Sequence, residues 1–226
     1  MTEQVAAEAK GPRAGAQATA ALVLGAVLAG GFWYLAQNEQ ESAAARGPAE
    51  CRASTGKLPA TYVNGTRLCQ ALNRPDLPTL LGTPGEQAQN AWGNDGEDPT
   101  GGRAPRPEGQ VGLPTYSVQL SLSYDRMPVA RLGRLLGGTE PTTFQGRAAF
   151  LYSDRTLALK IPLGGGKAES GTGGIARHLV VARDAEDGGG SYELVIWRED
   201  QGIPDDAALL RVAERVLPTV PGWAGN

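Results

Sequence analysis

At 226 residues, with 21 basic and 24 acidic side chains and a net charge of −3, the chain is long enough for a real core and carries no excess of positive charge. No basic run supplies the face that a nucleic-acid binder needs, so no nucleic-acid partner is expected. One histidine and two cysteines leave few soft ligands, which argues against a zinc or redox centre and against any cofactor.

The N-terminal fifty residues give the address. From Ala14 to Asn38 there is no charged residue, and the apolar part runs from Ala18 to Ala36. As a helix this part is roughly 28 Å long, which matches a hydrocarbon core of about 30 Å. The spacing predicts one transmembrane helix over 18–36, anchored by Leu22, Val23, Leu24, Val27, Leu28, Phe32, Trp33, Tyr34 and Leu35. Its aromatic end suits the headgroup level, and Lys10 and Arg13 flank the other end, with no further Lys or Arg before Arg46. Residues 1–17 are therefore expected in the cytoplasm and the C-terminal part outside the cell membrane. The alternative is a signal peptide cleaved near Ala43-Ala44-Ala45, which would release a secreted protein.

Residues 37–50 read as a stalk, and an extracytoplasmic domain is expected over 51–226. On that side of the membrane the two cysteines, Cys51 and Cys69, are expected to form a disulfide. Asn64-Gly65 signals a turn, Thr66 is a candidate cap for a short helix through Leu72, and a second helix is predicted over Leu77 to Leu81. Residues 83–114, dense in Gly, Pro, Asp and Glu, read as a mobile loop.

Tyr116, Val118, Leu120, Leu122 and Tyr124 alternate with polar residues, which predicts a half-buried strand. A helix follows over Val129 to Leu136, stopped by Gly137-Gly138. Further strands are predicted at Ala148 to Tyr152, Leu157 to Ile161, Ala176 to Ala182 and Tyr192 to Trp197, with Gly188-Gly189-Gly190 as a hairpin turn. The last helix spans Asp205 to Leu217. It starts with two acids, ends with Arg215 and Pro218, and presents Leu209, Ala213, Val216 and Leu217 to the sheet, with Trp223 beside them. The fold class is α+β: a mainly antiparallel sheet packed by helices, preceded by one transmembrane helix.

Candidate chemistry is sparse. His178, the sole histidine, shares a strand face with Ala176, Val180 and Ala182, the ordinary setting of a strand-surface histidine. Gly164-Gly165-Gly166-Lys167 lacks the first glycine of a phosphate loop, which falls on Ile161, and has Ala168 where the hydroxyl should be. With Gly171 to Gly174 it reads as a flexible turn. Asp184, Glu186 and Asp187, and Asn94, Asp95, Glu97 and Asp98, crowd acids without the calcium-loop spacing. Glu199 and Asp200, with Asp205 and Asp206, are carboxylates near a strand end, the arrangement that paired acids use on a glycosidic bond, and helix capping already accounts for the second pair. No catalytic, cofactor or metal residue is assigned, and an enzyme is not expected.

Leu68-Cys-Gln-Ala-Leu-Asn-Arg-Pro-Asp-Leu-Pro-Thr-Leu-Leu-Gly82 and Asp187-Gly-Gly-Gly-Ser-Tyr-Glu-Leu-Val-Ile-Trp-Arg-Glu-Asp200 resemble a Streptomyces membrane-protein family of unknown function. Arg outnumbers Lys 17 to 4, which agrees with a GC-rich, actinobacterial source. The order of elements is also similar to actinobacterial envelope lipoproteins with a PsbP-like sandwich, although no lipobox is present. The resemblance implies a single-pass envelope protein and carries no activity. The sequence thus points to a membrane-anchored, non-catalytic binding or interaction domain whose partners are the membrane and an envelope protein or ligand. The alternative is an envelope hydrolase.

Overall fold

The computed structural model describes residues 48–53, 58–96, 104–160 and 169–223. The expected transmembrane helix over 18–36 with its nine anchor residues, the cytoplasmic tail, most of the stalk and the Gly164-to-Lys167 run lie outside the described residues. Among the described residues no helix is long and apolar enough to cross a membrane.

In chain order the elements are α1 (Gly65–Leu72), α2 (Leu77–Leu81), β1 (Asn90–Asn94), β2 (Glu108–Gly112), β3 (Tyr116–Ser123), α3 (Val129–Leu136), β4 (Glu140–Phe144), β5 (Arg147–Lys160), β6 (Glu169–Ala182), β7 (Ser191–Arg198) and α4 (Asp206–Val216). A 3₁₀ turn, Leu217–Thr219, follows. The strands make one sheet in the order β1-β2-β3-β7-β6-β5-β4, and all neighbours pair antiparallel. The α+β class and the antiparallel sheet are as the sequence predicts.

Register puts the core on one face. Val118, Leu120 and Leu122 pair with Ile196, Leu194 and Tyr192, and Leu179 and Val181 continue the rows on β6. Onto this face α4 lays Leu209, Val212, Ala213 and Val216, each 0% exposed. Burying each of the larger aliphatic chains contributes roughly 1.5–3 kcal/mol. Asp205 caps α4 by accepting from the Ala207 N–H at 3.0 Å. Trp223 sits edge-on to Phe144 and under the Arg147 guanidinium, closing that side of the core. On the opposite face α3 packs on a smaller cluster of Phe150, Val180 and Ala182, with Ala148 and Tyr152 at its margin.

The other end of the core face is closed by α1, and here glycine replaces apolar side chains. A Cβ on Gly93 would stand 2.3 Å from the Gly65 backbone, one on Gly65 2.3 Å from Asn94, and one on Gly109 2.2 Å from the Cys69 nitrogen. The helix backbone therefore rests directly on β1 and β2, and Leu68 and Leu72 reach past them into the core. The cap is Asn64 and not Thr66: Asn64 is extended and its Oδ1 accepts from the Arg67 N–H at 2.9 Å, whereas Thr66 is already inside the helix. Buried Asp95 takes the Gly65 N–H at 2.9 Å. The expected disulfide joins Cys51 to Cys69.

Four further expectations are corrected. Within 83–114, residues 90–94 and 108–112 form β1 and β2, where Gly93 and Gly109 serve close helix packing. The strand at Tyr116 is buried on both faces, with Ser117 and Ser121 only 4% and 3% exposed. The strands expected at Ala148 and Leu157 are one continuous strand, β5, and Gly171 to Gly174 belong to β6. Between Arg155 and Leu157 the register slips, since Thr156 lies opposite both Gly173 and Gly174. This is a bulge, which bends and twists the hairpin. Edge strand β4, absent from the sequence reading, turns back into β5 through Gln145 (φ 48°) and Gly146 (φ 80°). Positive φ at both central positions is the hairpin turn that matches strand twist.

Gly109→Ala is expected to destabilise the domain by roughly 1–3 kcal/mol or more, because the new methyl meets helix backbone that cannot step aside. Gly85→Ala, with open space around it, is the control and should stay within about 0.5 kcal/mol of wild type. Equal unfolding midpoints in urea for both variants would show that α1 does not rest on the sheet as described.

Candidate functional site

Outside the patch covered by α3, the second face of the sheet is half-buried and only partly reaches solvent. One row of paired residues crosses it: Trp92, Gln110, Gln119, Val195, His178 and Tyr152. Aromatic and amide side chains on a surface not claimed by the core form a ligand-competent platform, since rings give area and amides give directed donors and acceptors. The bulge at Thr156 and Gly173-Gly174 raises a wall beside this row. A cavity of about 520 Å³ results, with Gln119, His178, Glu193, Trp197 and Glu199 among its lining.

The centre of the site is a carboxylate. Glu193 follows Tyr192 on β7 and, by alternation, points away from the core. Its Oε1 accepts from the Tyr152 hydroxyl at 2.6 Å and lies 2.9 Å from His178 Nδ1, while Oε2 takes the Arg106 guanidinium. Burial pushes the Glu193 carboxyl up, but the hydrogen bonds from His178 and Tyr152 and the charge of Arg106 outweigh it and hold the group at about 2. Burial, reinforced by the neighbouring Glu193 charge, pushes the Tyr152 phenol up. Because Glu193 is ionised, the proton between it and His178 sits on Nδ1. A neutral His178 therefore keeps its lone pair on Nε2. The ring stacks on Tyr152 with centroids 4.2 Å apart, so its plane is fixed as well.

His178 lies on the face that the alternation predicts, with Ala176, Val180 and Ala182. Of the acids singled out in the sequence, the structure brings only Glu199 to this cavity, where it accepts from the Ser117 hydroxyl. Asp95, Asp184, Asp187, Asp200, Asp205 and Asp206 are engaged elsewhere. Asp200 grips the Arg198 guanidinium, which holds its carboxyl down at about 2, Asp205 caps α4, and Asp206 makes two hydrogen bonds to Arg177 at 2.6 and 2.7 Å. Asp187 accepts from the Val129 and Ala130 N–H groups at 2.6 and 2.9 Å, and Asp184 from Gly188 at 2.8 Å. These acids satisfy backbone donors at helix starts and turns. Among the described residues no group of three or more His, Cys, Asp or Glu side chains is placed to hold a metal ion. Glu97 and Asp98 lie outside the described residues.

Sequence reasoning missed Glu193, Tyr152, Arg106, Gln119 and Trp197, because the site draws on several strands and no local motif unites them. One signal was present: a glutamate at the second position of the otherwise apolar Tyr192-to-Trp197 strand. A charge there requires partners.

The Glu193 cluster sets an acid limit on stability. An unfolded Glu titrates near 4.3 and the folded one at about 2, so its contribution is complete above about pH 4.3 and is lost as pH falls towards 2. The size is on the order of 3 kcal/mol. Glu193→Gln should therefore be less stable at pH 7 and show a flatter stability profile between about pH 5 and 2. Parallel pH profiles of wild type and variant in denaturant titrations would contradict this account.

No curated protein and no solved structure matches the chain. The model of a family described as a family of unknown function (DUF6215) matches residues 9–139, more than half of the chain, and the chain belongs to that family.

Proposed function

We propose that the protein is a single-pass membrane protein of an actinobacterial cell envelope, with its N-terminus in the cytoplasm and its α+β domain outside. The domain works as a non-catalytic binding module for an envelope protein or ligand. The observation that carries this reading is the Cys51–Cys69 disulfide. Such bonds persist in oxidising compartments, and this one follows an uncharged apolar stretch, Ala18 to Ala36, of bilayer length.

Binding is favoured over turnover by what surrounds His178. A His–carboxylate pair supports nucleophilic catalysis when a hydroxyl or thiol is within hydrogen-bond reach of the ring. Among the described residues His178 makes one side-chain hydrogen bond, to Glu193. The partly exposed sheet face offers instead a concave platform of rings, amides and carboxylates, suited to holding a partner.

Thiol labelling of intact cells with a membrane-impermeant reagent tests the address. Cys51 and Cys69 are expected to label only after reduction, with the intact chain recovered in the membrane fraction. Labelling that requires lysis would place the domain in the cytoplasm and overturn the proposal. A shortened, soluble chain would replace anchoring by signal cleavage.

A further inference from the structure

A second concavity, of about 440 Å³, opens where β3 ends and β7 begins, between residues 58–64 and the turn at Pro221-Gly222. Its walls have a different chemistry from the cavity at Glu193. Tyr62 and Tyr124 meet edge to face with centroids 4.6 Å apart, and the Arg183 guanidinium lies over the Tyr124 ring at 4.9 Å. Arg67, on α1, reaches the same cleft. Among the described residues that line it there is no aspartate or glutamate, in a chain whose net charge is −3.

The cleft gathers two guanidinium groups that, like those of Arg126, Arg131 and Arg155, face no carboxylate among the described residues. Arg74, Arg177 and Arg198 each face a carboxylate, whereas the guanidinium groups of Arg67 and Arg183 make no ion pair and no hydrogen bond among the described residues. Tyr192 is 1% exposed and lines the same cleft. Its hydroxyl, beside Gly222, makes no hydrogen bond among the described residues. The hydroxyl is reached from the cleft, so its proton is available to an acceptor bound there. The Tyr124 oxygen already accepts from the Val63 N–H at 2.7 Å, which leaves its own proton to give.

We propose that this cleft binds a small organic oxyanion, a phosphate or carboxylate carried on an aromatic or apolar body. Arg67 and Arg183 supply charge and forked N–H donors, which match the spacing of phosphate and carboxylate oxygens. Tyr192 and Tyr124 donate from the floor, and the rings of Tyr62 and Tyr124 wall the apolar part. The ligand is a free solute; a phospholipid headgroup shares the oxyanion but lacks a ring to lie against the tyrosines.

The test is calorimetric titration of the full-length chain with phenyl phosphate, benzoate, glycerophosphoglycerol and uncharged phenol. Saturable binding of phenyl phosphate is expected, with weaker binding of glycerophosphoglycerol and none of phenol. Arg67→Gln, at an exposed position, should weaken phenyl phosphate binding by about tenfold or more while leaving the unfolding midpoint in place. Tyr192→Phe removes only the hydroxyl and should weaken binding by about threefold or more. Absence of saturable binding by either aromatic anion would overturn the proposal, as would affinities unchanged in both variants. Tighter binding of glycerophosphoglycerol than of phenyl phosphate would overturn the free-solute source in favour of a lipid headgroup.

Discussion

The fold depends on a contact between main chains. Where most helices meet a sheet through interdigitating side chains, α1 touches β1 and β2 backbone to backbone, because Gly65, Gly93 and Gly109 present no Cβ at the crossing. This close approach lets Leu68 and Leu72 join the same core as Leu120 and Leu194. It also places Cys69 within reach of Cys51 and aligns the Gly65 N–H with Asp95. Interiors are packed too densely to absorb even one added methylene without strain, so the geometry of this crossing sets the positions of everything attached to it.

The two faces of the sheet divide the labour. One face is spent on the core beneath α1 and α4. The other is covered by α3 at one end, and over the remainder it carries a charged cluster that the strands hold rigidly. Glu193 is the pivot of that cluster, since Tyr152, His178 and Arg106 all orient on its two oxygens. Every lone pair so used is unavailable for chemistry, while every ring so oriented becomes a fixed surface. A network satisfied in this way specifies shape, and shape is what a binding platform requires.

Legibility from the sequence followed side-chain periodicity. α4 and β3 were readable because Leu209, Ala213 and Val216, or Val118, Leu120 and Leu122, recur at the period of their element. The helix Leu77–Leu81 and the Gly188-to-Gly190 hairpin were readable from local turn chemistry. β1 and β2 were not, because Gly93 and Gly109 stand where strand alternation would place apolar side chains, and glycine there looked like loop composition. β4 escaped because four of its five residues are exposed and it contains Pro141, which an edge strand tolerates. The site was legible only at His178 and Glu199. Its other members become neighbours through register, which no local window encodes.

The position of the disulfide has a mechanical consequence. The first described residues lie along the edge of β1, through Ala49 N–H to Ala88 and Arg52 N–H to Ala91. Those two hydrogen bonds would peel one after the other if the preceding chain were pulled. Cys51 interrupts the peeling, because tension arriving there passes through sulfur into the middle of α1. From α1 the load spreads into the sheet as shear across the interlocked glycines, where many contacts must yield together. Force applied at the leading end of the domain would thus load the helix–sheet crossing and not the Arg52 edge hydrogen bond that follows Cys51.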